Sequence, residues 1–191
     1  ARANGKKRVS IVTKANIMKK TDGDFQSICL DVAKDYPEIE TDCWFIDIMA
    51  ANLVNTDIRN KFEVFVLPNL YGDIITDEAA QIQGGVGTAG SANIGSRYAI
   101  FEAIHGSAPR MVEEGIAHLA NPASLMTASV MMLREAGARI ADESVARSVM
   151  AKAERLYAAI AKADAEMGSS MTGLPGGASC TEFAECVKEK L

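Results

Sequence analysis

Short β-prone runs and helical segments alternate through the first 83 residues, and this constrains the fold more than any other feature. Runs rich in β-branched and aromatic residues predict strands at 8–13, 41–48 and 63–67. Apolar residues at helical spacing predict helices at about 22–35, 49–54 and 71–83. Because strands that alternate with helices are typical of layered α/β proteins, we predict an α/β fold.

Carboxylates follow the ends of two of these predicted strands. Asp73 and Asp77 come after Pro68 stops the third strand, and their spacing places both on one helix face. Asp47 ends the predicted second strand. Parallel strands bring such ends to one edge of a sheet, and oxygen donors without histidine suit Mg²⁺ or Mn²⁺ rather than zinc. The alternative is a solvated helix face whose acids are favoured by the helix dipole.

Lys14 and His105 are two further candidates for a site. Lys14 directly follows the first predicted strand, so beside carboxylates and a metal it would donate or accept a proton. Taken alone, it is equally an ordinary surface lysine. His105 opens a His-Gly turn after a strand predicted at 98–102. It is either a structural histidine or part of a site where Gly106 lets a flat ring approach the backbone.

The glycine-rich segment 84–95 contains a G-x-G-x-x-G match at 85–90. A dinucleotide fingerprint follows a strand, opens a helix and has an acid about 20 residues further on. Here a predicted helix precedes the match, and Arg110 occupies the later position. We therefore predict a flexible crossing between domains at 1–83 and 84–191 instead of a Rossmann motif. Helices are predicted beyond it at 123–135, at 141–165 and from 181 onward.

Composition excludes several classes of partner. The net charge is −5 with no basic patch, so we expect no nucleic acid partner. No apolar run reaches the roughly 18 residues of a membrane helix, so we expect no membrane partner. The four cysteines form no CxxC pair, which favours reduced thiols in the cytoplasm or an organelle matrix. The first eight residues lack an initiator Met and read as the end of a helix, so we expect a longer parent protein.

Several motifs in a fixed order resemble the β-decarboxylating dehydrogenases, that is, the isocitrate/isopropylmalate dehydrogenase family. The resemblance runs along the whole chain and implies a non-Rossmann fold of which this chain is the C-terminal portion. Pro-Asn-Leu-Tyr-Gly-Asp, where the isopropylmalate branch reads Glu-Asn-Met-Phe-Gly-Asp, favours the isocitrate branch. The motifs lie at 14–18, 21–25, 68–73, 84–87, 93–95, 101–109 and 121–122.

The resemblance implies a role for each motif. Lys14 matches the catalytic lysine, which reaches the active site of the neighbouring subunit in a homodimer with shared sites. Asp47 matches a catalytic and metal-binding acid contributed across the dimer interface. Asp73 and Asp77 match the metal acids of the subunit's own site, for Mg²⁺ or Mn²⁺. The residues that match the adenosine-binding positions are His105, Gly106, Ser107, Ala108, Pro109, Arg110, Met111 and Asn121.

The implied activity is oxidative decarboxylation of isocitrate to 2-oxoglutarate and CO₂, with hydride transfer to NAD or NADP. Residues 1–83 would belong to the small dimerisation and metal-binding domain, and 84–191 to the large cofactor-binding domain. The N-terminal part of the enzyme, with substrate-binding arginines and a catalytic tyrosine, would be a required partner. Alternatives are a sister enzyme for 3-isopropylmalate, homoisocitrate or tartrate, and a non-catalytic regulatory subunit. Retention of Lys14 and the three acids argues against a regulatory subunit.

Two features give opposite indications about the nucleotide. Arg110, directly after His-Gly-Ser-Ala-Pro, would pair with the 2′-phosphate of NADP. The segment 171–175 is shortened and lacks the Tyr and Arg of many bacterial NADP enzymes, as in NAD forms. The balance leans slightly to NAD. An insertion at 112–120 is richer in acids than the usual loop.

Overall fold

The computed structural model describes residues 1–85 and 87–191, which divide into two compact units, Ala1–Ile82 and Gln83–Leu191. The functional roles predicted for 1–83 and 84–191 remain predictions. Within the described residues, none of the helices combines the length and the apolar character needed to cross a bilayer.

The first unit is a parallel sheet whose strands are each followed by a helix, which confirms the predicted α/β fold. The strands are β1 (Arg8–Thr13), β2 (Glu40–Phe45) and β3 (Val64–Val66), in the order β2-β1-β3. The helices are α1 (Thr21–Ala33), α2 (Ile46–Val54) and α3 (Asn69–Gln83). Short 3-10 turns occupy Arg2–Asn4 and Arg59–Lys61. Because β1 is the central strand, its carboxyl end lies between those of its neighbours.

Helices cover both faces of this sheet. Val12 of β1 packs with Met49 and Leu53 of α2 and with Ile75 of α3, and these form one buried cluster. Burial of such a side chain stabilises the fold by roughly 1.5–3 kcal/mol. Ile11 points to the opposite face, towards α1, and is also buried. The alternation of Ile11 and Val12 between the two faces therefore explains why β1 reads as a continuous apolar run.

The predicted second strand extends too far, and its end corrects the position of Asp47. β2 stops at Phe45, and α2 begins at Ile46, so Asp47 lies in the first turn of a helix instead of ending a strand. A short apolar run alone does not distinguish a strand from a buried helix. Met49 and Leu53, four residues apart and both buried, show that helical packing decides the outcome. Asp47 is favoured there by the helix dipole.

The second unit is a β-hairpin packed with helices. β4 (Gly90–Ile94) and β5 (Ala99–Ala103) are antiparallel. The core joins residues of three helices and includes Val130, Ile160 and Phe183. The helices are α4 (Pro109–Glu113), α5 (Ala123–Arg139), α6 (Glu143–Met167) and α7 (Cys180–Glu189), with 3-10 turns at Ala117–Leu119 and Gly168–Ser170.

The predicted flexible crossing at 84–95 is wrong for its second half, because Gly90–Ile94 forms β4. The small residues of β4 have low strand propensity, so the sequence did not predict this strand. Their small size, however, allows the strand to pack closely against α5. A Cβ atom on Gly90 would lie 2.5 Å from the backbone nitrogen of Ala128 in α5. The G-x-G-x-x-G match leads into a strand and opens no helix, as expected for a fold other than Rossmann. Val86, within the match, lies outside the described residues.

Candidate functional site

The parallel strand order brings predicted site residues to one edge of the sheet. Lys14 directly follows the central strand β1, and Asp47 lies just beyond β2 in the first turn of α2. Asp73 and Asp77 lie in α3, which follows β3 on the other side of β1. The carboxyl edge of a parallel sheet is where ligands bind in open α/β proteins. The predicted grouping at one sheet edge therefore agrees with the parallel strand order, although Asp47 reaches that edge from a helix, and the functional roles of these residues remain predictions.

Lys14 and Asp47 form an ion pair at this edge. Lys14 Nζ lies 2.6 Å from Asp47 Oδ1, and the two side chains are 25% and 60% exposed. The hydrogen bond from Lys14 lowers the pKa of Asp47, and backbone N–H groups at the start of α2 lower it further. Asp47 is consequently ionised at neutral pH, and its charge orients the ammonium group of Lys14.

The main chain of Lys14 is fixed on both sides. Its N–H donates to Oδ2 of Asp22 at 2.7 Å, and its carbonyl oxygen accepts from the N–H groups of Ile17 and Met18 at 2.8 Å each. The hydroxyl of the preceding Thr13, fully buried, accepts from Ala15 N–H at 3.3 Å. The turn after β1 is thus held by side chains before and after Lys14.

Sequence reasoning missed the parts that Asp22 and Thr13 play in this turn. The signal for Asp22 was its place in the first turn of a predicted helix, where acids are common for the helix dipole alone. Thr13 has no distinguishing sequence signal, because hydroxyl residues occur in many strands.

Asp73 and Asp77 are exposed and project from one face of α3. Neither carboxylate forms a salt bridge with another side chain in residues 1–85 and 87–191. In the same described part, no three His, Cys, Asp or Glu side chains converge to hold a metal ion. The carboxylate oxygens of Asp73 and Asp77 fit a hard divalent cation. These two residues alone would leave most of the coordination shell of the cation to other ligands. Among the described residues of one chain, Asp47, Asp73 and Asp77 therefore do not converge into a three-acid site.

The residues predicted to hold adenosine are fastened to the start of α5. Ile104 N–H, just before His105, donates to Oγ of the fully buried Ser124 at 3.2 Å, and the Ser124 hydroxyl donates to the carbonyl of Ala89. Asn121 Oδ1 accepts from Ala123 N–H at 2.9 Å. The turn at His105 and the side chain of Asn121 are consequently anchored to the same helix end. Ser124 carried no sequence signal.

The segment from His105 to Arg110 is exposed, and Met111 is half-buried. His105 Nδ1 lies 2.9 Å from the carbonyl oxygen of Gly106. Ala108 adopts the left-handed conformation with φ 46°, and Pro109 begins α4. Arg110 Nε donates to Oε1 of Glu114 at 2.6 Å. Arg110, predicted to contact a 2′-phosphate, is therefore already paired with an acid of the 112–120 insertion.

An apolar groove of about 440 Å³ lies between α1 and the sheet. Ile11, Ile28 and Val32 are among its lining residues, and none of the predicted site residues lines it. Small-molecule sites usually combine an apolar pocket with a few polar groups. In the part of the chain that the structure describes, the candidate site is instead an open polar edge.

Comparison with known proteins gives one family. The profile described as isocitrate/isopropylmalate dehydrogenase matches residues 1–187. The NADP-named isocitrate dehydrogenase of Rickettsia typhi is 49% identical over 134 residues, which are 70% of this chain and 27% of the relative. The 3-isopropylmalate dehydrogenase of Archaeoglobus fulgidus is 43% identical over 153 residues, 78% of this chain and 45% of the relative.

Two further matches cover the whole chain. Catalytic subunit 5 of the mitochondrial NAD-named isocitrate dehydrogenase of Arabidopsis thaliana is 40% identical over 192 residues, 47% of that relative. The crystal structure of isocitrate dehydrogenase from Methylococcus capsulatus superposes with a TM-score of 0.85 at 35% identity, covering 52% of that structure. The chain thus spans 27% to 52% of the lengths of these proteins. In agreement with the order of its motifs and its α/β fold, the chain belongs to the isocitrate/isopropylmalate dehydrogenase family.

Proposed function

We propose that the enzyme to which this chain contributes converts isocitrate to 2-oxoglutarate and CO₂ in a metal-dependent reaction, with hydride transfer to NAD or NADP. The observation that carries the proposal is the Lys14–Asp47 ion pair at the carboxyl edge of the sheet. In a chain of this family, this ion pair places an ammonium group and an ionised acid at two positions for which the resemblance implies a catalytic role.

The chain's own residues have defined tasks in this chemistry. Hydride leaves C2 of the substrate for the nicotinamide; the bond to the β-carboxylate then breaks, CO₂ leaves, and the electron pair moves onto the new carbonyl oxygen. The ammonium of Lys14 would hold the negative charge of the resulting enolate and take part in returning a proton to carbon. Ionised Asp47 would keep that ammonium oriented through the ion pair.

Asp73 and Asp77 would hold Mg²⁺ or Mn²⁺ together with Asp47 from a second copy of the chain. The bound cation would supply Lewis-acid polarisation of a substrate oxygen. This division is supported by the pairing of Asp47 with Lys14 and by the absence, among the described residues, of a three-acid cluster within one chain. The proposed assembly is a homodimer with shared active sites, located in the cytoplasm or the mitochondrial matrix.

For the nucleotide, His105 through Met111 and Asn121 would contact the adenosine half. The pairing of Arg110 with Glu114 supports the lean to NAD, because it supplies a carboxylate that competes with a 2′-phosphate. Relatives named for NADP and for NAD both match the chain. Membership of the family therefore does not distinguish NAD from NADP, and the proposal depends on these local residues.

A second candidate is oxidation of 3-isopropylmalate. It is favoured by the 43% identity with the Archaeoglobus fulgidus enzyme over 78% of this chain. The chemistry at Lys14 would be the same, since only the substituent on the malate core differs. The substrate that turns over therefore separates the two candidates.

The test uses an enzyme in which this chain is joined to the N-terminal part of its parent protein. NADH and NADPH formation is measured with isocitrate or 3-isopropylmalate and Mg²⁺. We expect turnover of isocitrate, a loss of about 10²- to 10⁴-fold in kcat for Lys14→Met, and loss of metal-dependent turnover for Asp73→Asn. Lys19→Met, a nearby exposed lysine, is the matched control and should retain activity. Turnover of 3-isopropylmalate without isocitrate would contradict the proposal in favour of the second candidate.

A further inference from the structure

Asp22 is a buried carboxylate that the proposed chemistry does not use. Its exposed fraction is 7%, and it is the one charged side chain among the buried polar residues of the described part, the others being Ser10, Thr13 and Ser124. A buried charge is costly unless hydrogen bonds compensate its lost hydration. The partners of Asp22 therefore indicate what this carboxylate is for.

The closest partner of Asp22 is Lys14, in the turn that follows β1. Oδ2 accepts from Lys14 N–H at 2.7 Å, and Oδ1 accepts from the Thr21 hydroxyl at 3.3 Å. Asp22 does not cap its own helix, because the N-cap of α1 is Lys20 and has no side-chain capping bond. The carboxylate thus faces the turn after β1, and a hydrogen bond to a charged acceptor is among the stronger ones in proteins.

These contacts leave Lys14 little freedom apart from its side chain. Asp22 fixes its N–H, Ile17 and Met18 fix its carbonyl, and Asp47 pairs with its ammonium. Ile17 and Met18 belong to the same turn as Lys14, and the side chain of Asp47 is exposed. The contact from Asp22, in contrast, comes from a buried side chain in another element, helix α1. Small displacements of a catalytic group reduce rate steeply.

We propose that Asp22 is a positioning residue, which holds the main chain of Lys14 in the arrangement that decarboxylation needs. This inference rests on the proposed function. A purely structural role would affect folding and all kinetic constants together. A positioning role affects kcat while leaving nucleotide binding, which involves the other unit, unchanged.

The test compares Asp22→Ala, Asp22→Asn and Asp24→Ala in the full-length enzyme. We expect Asp22→Ala to lower kcat by about 10- to 100-fold with the KM for nucleotide within about twofold. Asp22→Asn keeps an oxygen that accepts from Lys14 N–H, so it should lose less. Asp24, exposed in the same helical turn, is the matched control and should retain parental kcat. Equal kcat for the two alanine variants, or parallel changes in every kinetic constant, would overturn the inference.

Hydrogen exchange of the Lys14 amide, followed by NMR in the same enzymes, supplies a readout independent of turnover. Protection should fall in Asp22→Ala, persist in part in Asp22→Asn and be unchanged in Asp24→Ala. Unaltered protection in Asp22→Ala would overturn the inference even if activity fell. If the unmutated enzyme did not oxidise isocitrate, the proposed function would fail, and the exchange measurement would still decide whether Asp22 holds Lys14.

Discussion

At the scale of single residues, the basic side chains of Lys14 and Arg110 are each constrained by the acid that pairs with them. Lys14 is 25% exposed and paired with Asp47, whereas Arg110 is 86% exposed and paired with Glu114. Exposed pairs four residues apart on a helix contribute little energy because water screens them. If Arg110 meets the nucleotide as proposed, Glu114 would therefore bias it away from a phosphate without blocking it.

We expect Glu114→Gln to shift the preference of the full-length enzyme towards NADP by about twofold in kcat/KM, the size of such an exposed pair. The shift arises because Arg110 loses its carboxylate partner and gains freedom to meet a 2′-phosphate. The measurement is the ratio of kcat/KM for NADP and NAD. Glu113→Gln is the control, since the described residues show no ion pair for Glu113; an equal shift there would refute a specific role for Glu114.

Gly90 is a residue whose missing side chain matters for packing. Its Cβ would meet the backbone of Ala128, which cannot rotate away as a side chain would. We expect Gly90→Ala to destabilise the second unit by about 1–3 kcal/mol, the usual effect of overpacking. Gly106→Ala is the control because no atom lies within 4 Å of its added Cβ. Thermal unfolding that lowers Tm equally in both variants would contradict the packing argument.

At the scale of elements, α7 shows how a helix start is fixed by its own residues. Ser179 Oγ accepts from Glu182 N–H at 3.2 Å, and the Glu182 carboxylate accepts from Ser179 N–H at 2.7 Å. This capping box begins the helix that buries Phe183 and Val187 in the core. The start of α7 is thus specified locally, and its attachment is specified by packing.

We expect Ser179→Ala to lower the free energy of unfolding by about 1 kcal/mol, because it removes an N-cap acceptor. Urea or thermal unfolding measures the change. Thr181→Ala alters an exposed residue of the same turn and should leave stability nearly unchanged. A loss in Thr181→Ala as large as in Ser179→Ala would show that the cap is not responsible.

The same cap predicts a dependence on pH. Hydrogen bonds from the backbone and the hydroxyl of Ser179 hold the pKa of Glu182 below its ordinary value. The stabilisation from ionised Glu182 is complete above its unfolded pKa of about 4.3 and is lost as pH falls through the lower folded pKa. The Tm difference between the parent and Glu182→Gln should therefore shrink as pH falls below about 4. A difference that is constant with pH would contradict the argument.

The strands that the sequence predicted well are those whose signal is local. β1 reads correctly from its β-branched residues, and the edge at Lys14 follows from parallel order. Asp47 was assigned to the wrong element, because an apolar run only becomes a helix through burial of Met49 and Leu53. The sequence did not predict β4, because its glycine at position 90 is required by a close approach to α5. No local pattern reveals that approach. The contacts of Asp22 and Ser124 likewise depend on distant residues.

At the scale of the whole molecule, the proposed shared sites predict complementation between inactive variants. Full-length Lys14→Met and Asp73→Asn proteins should each be inactive. In a mixed dimer, one site would combine intact Asp73 and Asp77 from one chain with intact Lys14 from the other. Random mixing in equal amounts should therefore restore about a quarter of the parental activity, as expected for a twofold assembly.

The measurement is isocitrate turnover after the two variants are unfolded and refolded together. Each variant refolded alone is the control. Recovery is expected in the mixture and not in either control. No recovery, in a mixture shown by mass to contain mixed dimers, would contradict the assignment of Lys14 and Asp73 to opposite sides of a shared site.

Lys14 and Asp47 form an ion pair, whereas Asp73 and Asp77 of the same unit belong to a separate helix, α3, and make no contact with that pair among the described salt bridges. Under the proposed division, the two sets serve different catalytic centres, so mutation can remove one set and leave the other useful. After a gene duplication, one copy would then retain value as a donor of lysine while losing its own metal acids. The layout of this edge thus offers an evolutionary route from identical subunits to specialised ones.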